Sequence, residues 1–386
     1  MKIAYIGDFI NHGKFLVPNG TSLVLLLAEI PDVEVIDVYC PKLNAETESF
    51  KEPEKIKIIE SYNYDNPLSI VKLLRVRMKY YDKIIFNIMP TAYGNSNLSN
   101  LAGLLIPIVL RIFFRKNNIE VIYHNSVYTN DISKLGYHSY YDKLRSLILA
   151  LVEREIFKSV RTLVFLQRYK DEITKKIGKN KLRILNGRYL EAMATVYLNG
   201  IYCHDYFTLS RKDQVPIILM HGFWGPQKNI ELGLNVLGEL RKEGLNFNLI
   251  ISGGINHHFE EYEKQFNLLL EKSNEISKQY LGFMREVDIL NLFSRADLLI
   301  LPYNTPGGRS AVLEQAMFFE VPTVAIDFPE YREQVRGVSF VRLIDSEDSL
   351  KLIIKQLLQS STVKAIEINV KERIQHAVSN IQKLLE

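Results

Sequence analysis

Cysteine is scarce: Cys40 and Cys203 are the only two in 386 residues, and they form no Cys-x-x-Cys pair. That argues against a disulfide framework and a thiolate metal centre. It fits a reducing compartment, so a cytoplasmic protein is expected. Long hydrophobic runs are also lacking. The longest, 101–110 with its continuation Ile112–Phe114, is broken by Pro107 and Arg111, and it is too short to span a bilayer. The opening MKIAYIGDF goes straight into a strand pattern, so no signal peptide is expected. The full Gly-x-Gly-x-x-Gly dinucleotide fingerprint is absent. So are low-complexity segments and any basic–aromatic nucleic-acid module, which removes nucleic acid from the expected partners.

What is present describes a soluble globular chain, 47% hydrophobic and 24% charged. Its length calls for two domains. Net charge is +4, unevenly spread: residues 1–200 carry +8 and residues 201–386 carry −4. The excess sits between 66 and 190, with 22 basic against 8 acidic residues. A half-chain of that sign would attract an anionic surface, whereas a single basic helix would simply be solvated.

Strand and helix patterns alternate along the whole chain, as in a parallel α/β fold. In the first half, strands are expected at Lys2–Phe9, Val33–Tyr39, Lys55–Ile59, Lys83–Ile88, Ile119–Tyr123 and Thr162–Leu166. Helices are expected at Leu23–Glu29, capped by Thr21 or Ser22, and at Leu68–Tyr80, Leu101–Phe114 and Tyr140–Phe157. The last of these gathers Leu144, Leu147, Ile148, Leu151 and Val152 on one side. A lysine-rich helical stretch runs on to about Met193, and Ala194–Leu198 reads as a short strand. His124 follows directly on an apolar strand, where open α/β sheets place their ligands, and so is a site candidate as well as a structural histidine. Residues 201–215 are irregular and polar and mark the domain boundary. The His257-His258 pair reads as solvated rather than metal-binding.

The second half restarts the alternation at 216–221, and its centre is LLILPYNTPGGRSAVLEQAMFFEVPTVAI, residues 298–326. This is strand, glycine turn, helix, strand. A glycine turn opening a helix presents free backbone N–H groups and the positive end of the helix dipole, which suits phosphate. Glu314, one turn into that helix, is placed to accept hydrogen bonds from sugar hydroxyls. The bare pattern is common, and most such units bind nothing.

Several stretches together resemble the retaining GT-B-fold glycosyltransferases of family 4. They are HGFWGPQKN, LGFMREVDILNLFSRADLLILP and PGGRSAVLEQAMFFEVPTVA, with a looser match in NGIYCHDYF. The resemblance implies two Rossmann-like domains facing across a cleft that holds a nucleotide-sugar. The division drawn is 1–207 for the acceptor-side domain and 208–365 for the nucleotide-sugar domain. Residues 366–386 are expected to form a helix packing back toward the N-terminal domain. By resemblance, Lys228 neutralises the donor diphosphate and the amides near Gly307, Gly308 and Arg309 hold it. Glu314 binds the ribose, Phe283 and Met284 line the base, Gly20 approaches the phosphates, and His124 lies near the donor sugar and acceptor. His124, Lys228 and Glu314 are thus the implied catalytic set.

The family needs no dedicated metal, so none is expected. The donor is a UDP-, GDP- or related sugar, used as co-substrate with no tightly bound cofactor. Two positions depart from the pattern: Pro306 stands where the family has its first Glu, and Phe223 where it has an Arg. The reading that follows is a retaining hexosyltransferase for polysaccharide or glycan biosynthesis, acting on a hydroxyl acceptor. A lipid-linked or surface glycan would suit the basic N-terminal domain, with peripheral contact at the inner membrane face. The competing readings are a catalytically impaired GT-B subunit that binds nucleotide or a partner transferase, and a sugar-nucleotide epimerase on the same fold.

Overall fold

The computed structural model describes residues 1–9, 18–42, 53–75, 79–88, 93, 96–114, 118–129, 140–209, 215–256, 259, 261–360 and 366–385. His257-His258, Arg115-Lys116, the polar run 211–214 and most of 89–96 lie outside the described residues. The chain divides into two compact units. Unit 1 comprises 1–133, 137–194 and 374–386, and unit 2 comprises 134–136 and 195–373.

Unit 1 holds β1 (Lys2–Ile6), α1 (Pro18–Glu29), β2 (Val35–Pro41), β3 (Ile56–Tyr62), α2 (Pro67–Ile70), β4 (Lys83–Ile88), α3 (Asn97–Phe114), β5 (Ile119–Tyr123), α4 (Tyr140–Ser159), β6 (Arg161–Val164), α5 (Gln167–Ile177) and β7 (Leu182–Ile184). A 3-10 turn, Val71–Arg75, continues α2. The seven strands form one parallel sheet in the order β3-β2-β1-β4-β5-β6-β7. The strand order reverses beside β1, between β2 and β4. Every residue of β5 is buried, as expected for a central parallel strand.

The helix α6 (Met193–Leu198) spans the unit boundary. Unit 2 continues with β8 (Tyr206–Leu209), β9 (Ile217–His221), α7 (Ile230–Lys242), β10 (Asn248–Ser252), α8 (Tyr262–Lys272), β11 (Lys278–Tyr280), α9 (Glu286–Arg295), β12 (Leu298–Leu301), α10 (Ala311–Phe318), β13 (Thr323–Ile326), α11 (Pro329–Gln334), β14 (Val341–Ile344), α12 (Glu347–Ser360) and β15 (Ile366–Asn369). Its six-stranded parallel sheet runs β11-β10-β9-β12-β13-β14, while β8 and β15 pair antiparallel. The order reverses at β9, so the loops after β9 and β12 leave the sheet side by side. Helix α13 (Val370–Gln382) closes the chain; its residues from Ile374 on count with unit 1.

Several expectations are corrected. Helix α1 begins at Pro18, not Leu23, because proline suits a first helical turn. Thr21 and Ser22 therefore sit inside the helix, and Ser22 Oγ accepts the Ala194 N–H at 2.8 Å instead of capping. Residues 193–198 are helical, not a strand. The expected helix over Leu68–Tyr80 is limited, in the described part, to α2 and its 3-10 continuation. The apolar side of α4 does not face the core: Leu144, Leu147, Ile148 and Leu151 are exposed, while Glu153, Ile156 and Phe157 are buried. At ~1.5 Å per residue α4 is about 30 Å long, whereas the five-residue β5 is about 17 Å, so the helix overhangs the sheet that should cover it.

Candidate functional site

In unit 2 the sequence after β9 makes a tight path. Gly222 adopts φ 144° and Gly253 φ 102°. A Cβ on Gly253 would stand 1.8 Å from the Gly222 carbonyl oxygen, so the two backbones meet as only glycine permits. Trp224, buried, donates Nε1–H to the Ser252 carbonyl at 3.1 Å and pins the loop. A 3-10 turn, Pro226–Lys228, then leads into α7.

Lys228 Nζ lies 3.7 Å from the centroid of the Tyr303 ring, a cation–π contact. Tyr303 follows β12 and is buried, and its hydroxyl donates to the His221 carbonyl at 3.3 Å. Burial lowers the Lys228 ammonium to about 7. Burial, with Lys228 adding to it, lowers the His221 imidazole to about 4, so His221 is neutral near pH 7. The loops after β9 and β12 are tied together: Asn304 N–H donates to the Gln227 carbonyl at 3.1 Å and Asn304 Nδ2 to the Pro226 carbonyl at 3.2 Å.

The glycine turn follows at once. Gly307 and Gly308 adopt φ 60° and 111°, conformations that side chains resist. Ser310 caps α10, its Oγ accepting the Leu313 N–H at 3.2 Å. Glu314 is buried one turn in. One of its oxygens lies 3.2 Å from Arg309 Nη2 and accepts from Gln334 Nε2 at 3.0 Å. Gln334 also donates to the Ser310 carbonyl at 2.8 Å and accepts the Ser310 N–H at 3.1 Å. The Arg309 side chain is thus turned in on Glu314. On the loops after β9 and β11, Phe223 and Phe283 form a half-exposed aromatic pair, ring centroids 6.3 Å apart. Met284 is the next residue and is part-buried.

In unit 1 His124 sits just past β5. Its Nε2 is 2.6 Å from Asn87 Oδ1 and its Nδ1 3.3 Å from Asn19 Nδ2. Asn19 also donates to Glu191. Asn87 Oδ1 calls for an Nε2–H, leaving Nδ1 to accept, so both ring nitrogens are engaged within the unit. Gly20 lies in the first turn of α1, where a Cβ would stand 2.0 Å from the Asp8 carbonyl oxygen. Asp8 is buried, bonded by the Tyr64 hydroxyl, and raised by burial to about 7.

The structure therefore brings Lys228, Gly307, Gly308 and Arg309 onto neighbouring loops of unit 2, with Glu314 inside α10 and Phe283 and Met284 on the loop after β11. Gly20 and His124 belong to unit 1. Tyr303, Gln334 and the aromatic use of Phe223 were not legible from sequence. Tyr303 directly follows the Pro302 of a recognised motif, so its position carried a signal, but its contact with Lys228 did not. Gln334 stands 20 residues beyond Glu314 with no motif around it.

Two Rossmann-like units with these strand orders define the class, the GT-B fold. Residues 205–373 match the model of the family described as glycosyl transferases group 1. No curated protein sequence matches the chain. Among solved structures, the chain is similar to sucrose-phosphate synthase from Thermosynechococcus elongatus, with 15% identity and a TM-score of 0.65 over 99% of this chain and 97% of that one. It is similar to WaaG, a glycosyltransferase involved in lipopolysaccharide biosynthesis, with 14% identity and a TM-score of 0.60 over 99% and 95%. It is also similar to Anabaena HepE, solved with UDP and glucose, with 14% identity and a TM-score of 0.57 over 100% and 94%. At such identities these likenesses are of fold. Over residues 205–373 the resemblance drawn from the sequence is matched by that family model.

Proposed function

We propose that the chain is a retaining glycosyltransferase of family 4 that moves a hexosyl group from a nucleoside diphosphate sugar to an acceptor hydroxyl. The observation that carries this is Lys228, held over Tyr303 on a loop that Asn304 ties to the one leading into the Gly307–Gly308 turn, at the reversal point of the unit 2 sheet. An ammonium and the free amides opening α10 suit a diphosphate, whose negative charge builds up as the sugar leaves. In the step, the bond from the anomeric carbon to the diphosphate oxygen breaks and a bond to the acceptor oxygen forms. The acceptor proton passes to the departing diphosphate. Glu314, oriented by Gln334 and Arg309, binds the ribose, and Phe283, Met284 and Phe223 line the base. Lys228 and Glu314 form the catalytic set in unit 2, and no metal is needed.

His124 and Gly20 are the implied site residues of unit 1. With both nitrogens held by asparagines, His124 orients rather than shuttles a proton. UDP is the first nucleotide to test, since HepE was solved with it. Thermal-shift screening against UDP, GDP, ADP and dTDP, followed by donor hydrolysis with the matching sugars, tests the reading. A shift with one nucleotide and slow release of free sugar are expected. The second reading, an impaired subunit, is favoured by Pro306 and Phe223, where two polar groups of the family pattern are missing. Nucleotide binding without sugar release or transfer, whatever acceptor is offered, would select it. Conversion of the nucleotide-sugar without acceptor would instead select an epimerase.

A further inference from the structure

The outer face of α3 and α4 in unit 1 leaves an unusual amount of apolar surface bare. On α3, Leu98, Leu105 and Ile112 recur every seven residues along one exposed stripe, and Phe113 adjoins it at 76% exposure. On α4, Tyr140, Leu144, Leu147, Ile148 and Leu151 make a second stripe, with Leu147 60% and Leu151 56% exposed. None of residues 140–152 is buried. The helices pack against each other, and α3 packs on its other side against α2 and the 3-10 turn, where Leu68 and Val71 are exposed too. Between the first turns of α3 and the first half of α4 lies an apolar groove of about 290 Å³, lined by Leu98, Leu101, Leu104, Leu144 and Ile148, with Arg145 among its walls. Exposed apolar surface this continuous marks an interaction face.

Charge decides which partner fits. Across α2, the 3-10 turn, α3 and α4 stand Lys72, Arg75, Arg111, Lys143, Arg145, Arg154 and Lys158. The acidic residues there are Asp142, Glu153 and Glu155, and Glu153 is buried. Apolar stripes edged by Lys and Arg match a bilayer whose headgroups are anionic. Among the described residues no helix is long and apolar enough to cross a membrane, so the contact lies in the surface plane.

We propose that the outer face of α3 and α4 docks unit 1 onto an anionic phospholipid bilayer, with the Leu98–Leu144–Ile148 groove receiving acyl-chain or interfacial apolar groups. Helix α3 follows β4 and α4 follows β5 in the chain, and His124 stands just past the end of β5. The inference stands apart from the transferase reading, because lipid binding is read without turnover.

The test is vesicle flotation of the full chain with phosphatidylcholine alone and with one-third phosphatidylglycerol. Wild type is expected to float with the anionic vesicles and stay down with the neutral ones. Ile112→Glu/Phe113→Glu and Leu147→Glu/Leu151→Glu are expected to lower the floated fraction about tenfold. Lys143→Glu/Arg145→Glu, which leaves the apolar stripes untouched, should also lower it, and 0.5 M salt should weaken wild-type flotation. Unchanged urea midpoints for the variants would show that the fold is kept. Absence of wild-type flotation would overturn the proposal, as would equal flotation on neutral vesicles. A sedimenting dimer that the Glu variants dissociate, with no flotation, would also overturn it and make this face a contact between two copies.

Discussion

Lys228 is a lysine held where losing its charge costs little. Burial has brought its ammonium down to about 7, and the face of Tyr303 compensates in part for the lost water. A diphosphate beside it would restore the charge and raise its pKa again. Binding at pH 8 should therefore take up close to one proton, and binding at pH 6 almost none. Calorimetry in two buffers of different ionisation enthalpy reads that number directly, and Lys228→Met should abolish the difference. Gln334 gives a second expectation. It fastens Ser310 and Glu314 together through three hydrogen bonds. Gln334→Ala should raise the donor KM about tenfold, a loss of about 1.4 kcal/mol, with kcat changed far less, because on the proposed reading Glu314, the partner of the ribose, is loosened while Lys228 stays in place. Equal falls in kcat and kcat/KM would assign it a different role.

Helix α4 shows what one element can carry. Its C-terminal part is anchored by Glu153, which accepts from the Tyr123 hydroxyl at 2.9 Å, from Ser126 Oγ at 2.5 Å and from the Val127 N–H at 3.2 Å. Burial raises that carboxyl from 4.5 to about 7, despite these hydrogen bonds. The folded state thus holds the proton more tightly than the unfolded chain. Its stabilising contribution is complete below about pH 4.5 and is lost as pH rises through 7, amounting to about 3 kcal/mol. Glu153→Gln should lose less stability than wild type between pH 5 and pH 8 in urea titrations, and equal losses in both would contradict the assignment. Asp8 titrates in the same sense and Lys228 in the opposite one, so the comparison with wild type isolates Glu153.

The elements also show what could be read beforehand. The bounds of β4 and β5 match expectation because each is a short run dominated by β-branched and aromatic residues with one internal polar residue, Asn87 or Glu120, and β5 stops at the polar His124-Asn125. Strands β7, β8, β14 and β15 were missed because three or four residues, partly exposed, carry too little pattern. Which way the stripe on α4 turns was not legible, because amphipathic spacing shows that a stripe exists, not whether a sheet extends beneath it.

At the scale of the molecule, the two parallel sheets obey one rule: each has its reversal beside its first strand, and its polar residues gather past the strand ends. That is why Lys228, Gly307 and Glu314 were legible as short motifs, while Tyr303 and Gln334, which bind them across the chain, were not. The central claim is that Lys228 and the turn before α10 grip a nucleoside diphosphate. Its most direct test is titration of UDP, GDP, ADP and dTDP into wild type and Lys228→Met, with the unliganded thermal midpoint of each measured alongside. One nucleotide should bind wild type and bind Lys228→Met at least about tenfold more weakly, with the variant's own midpoint no lower, since a poorly solvated ammonium has been removed. Equal binding to both proteins, or no binding of any nucleotide to wild type, would contradict the account.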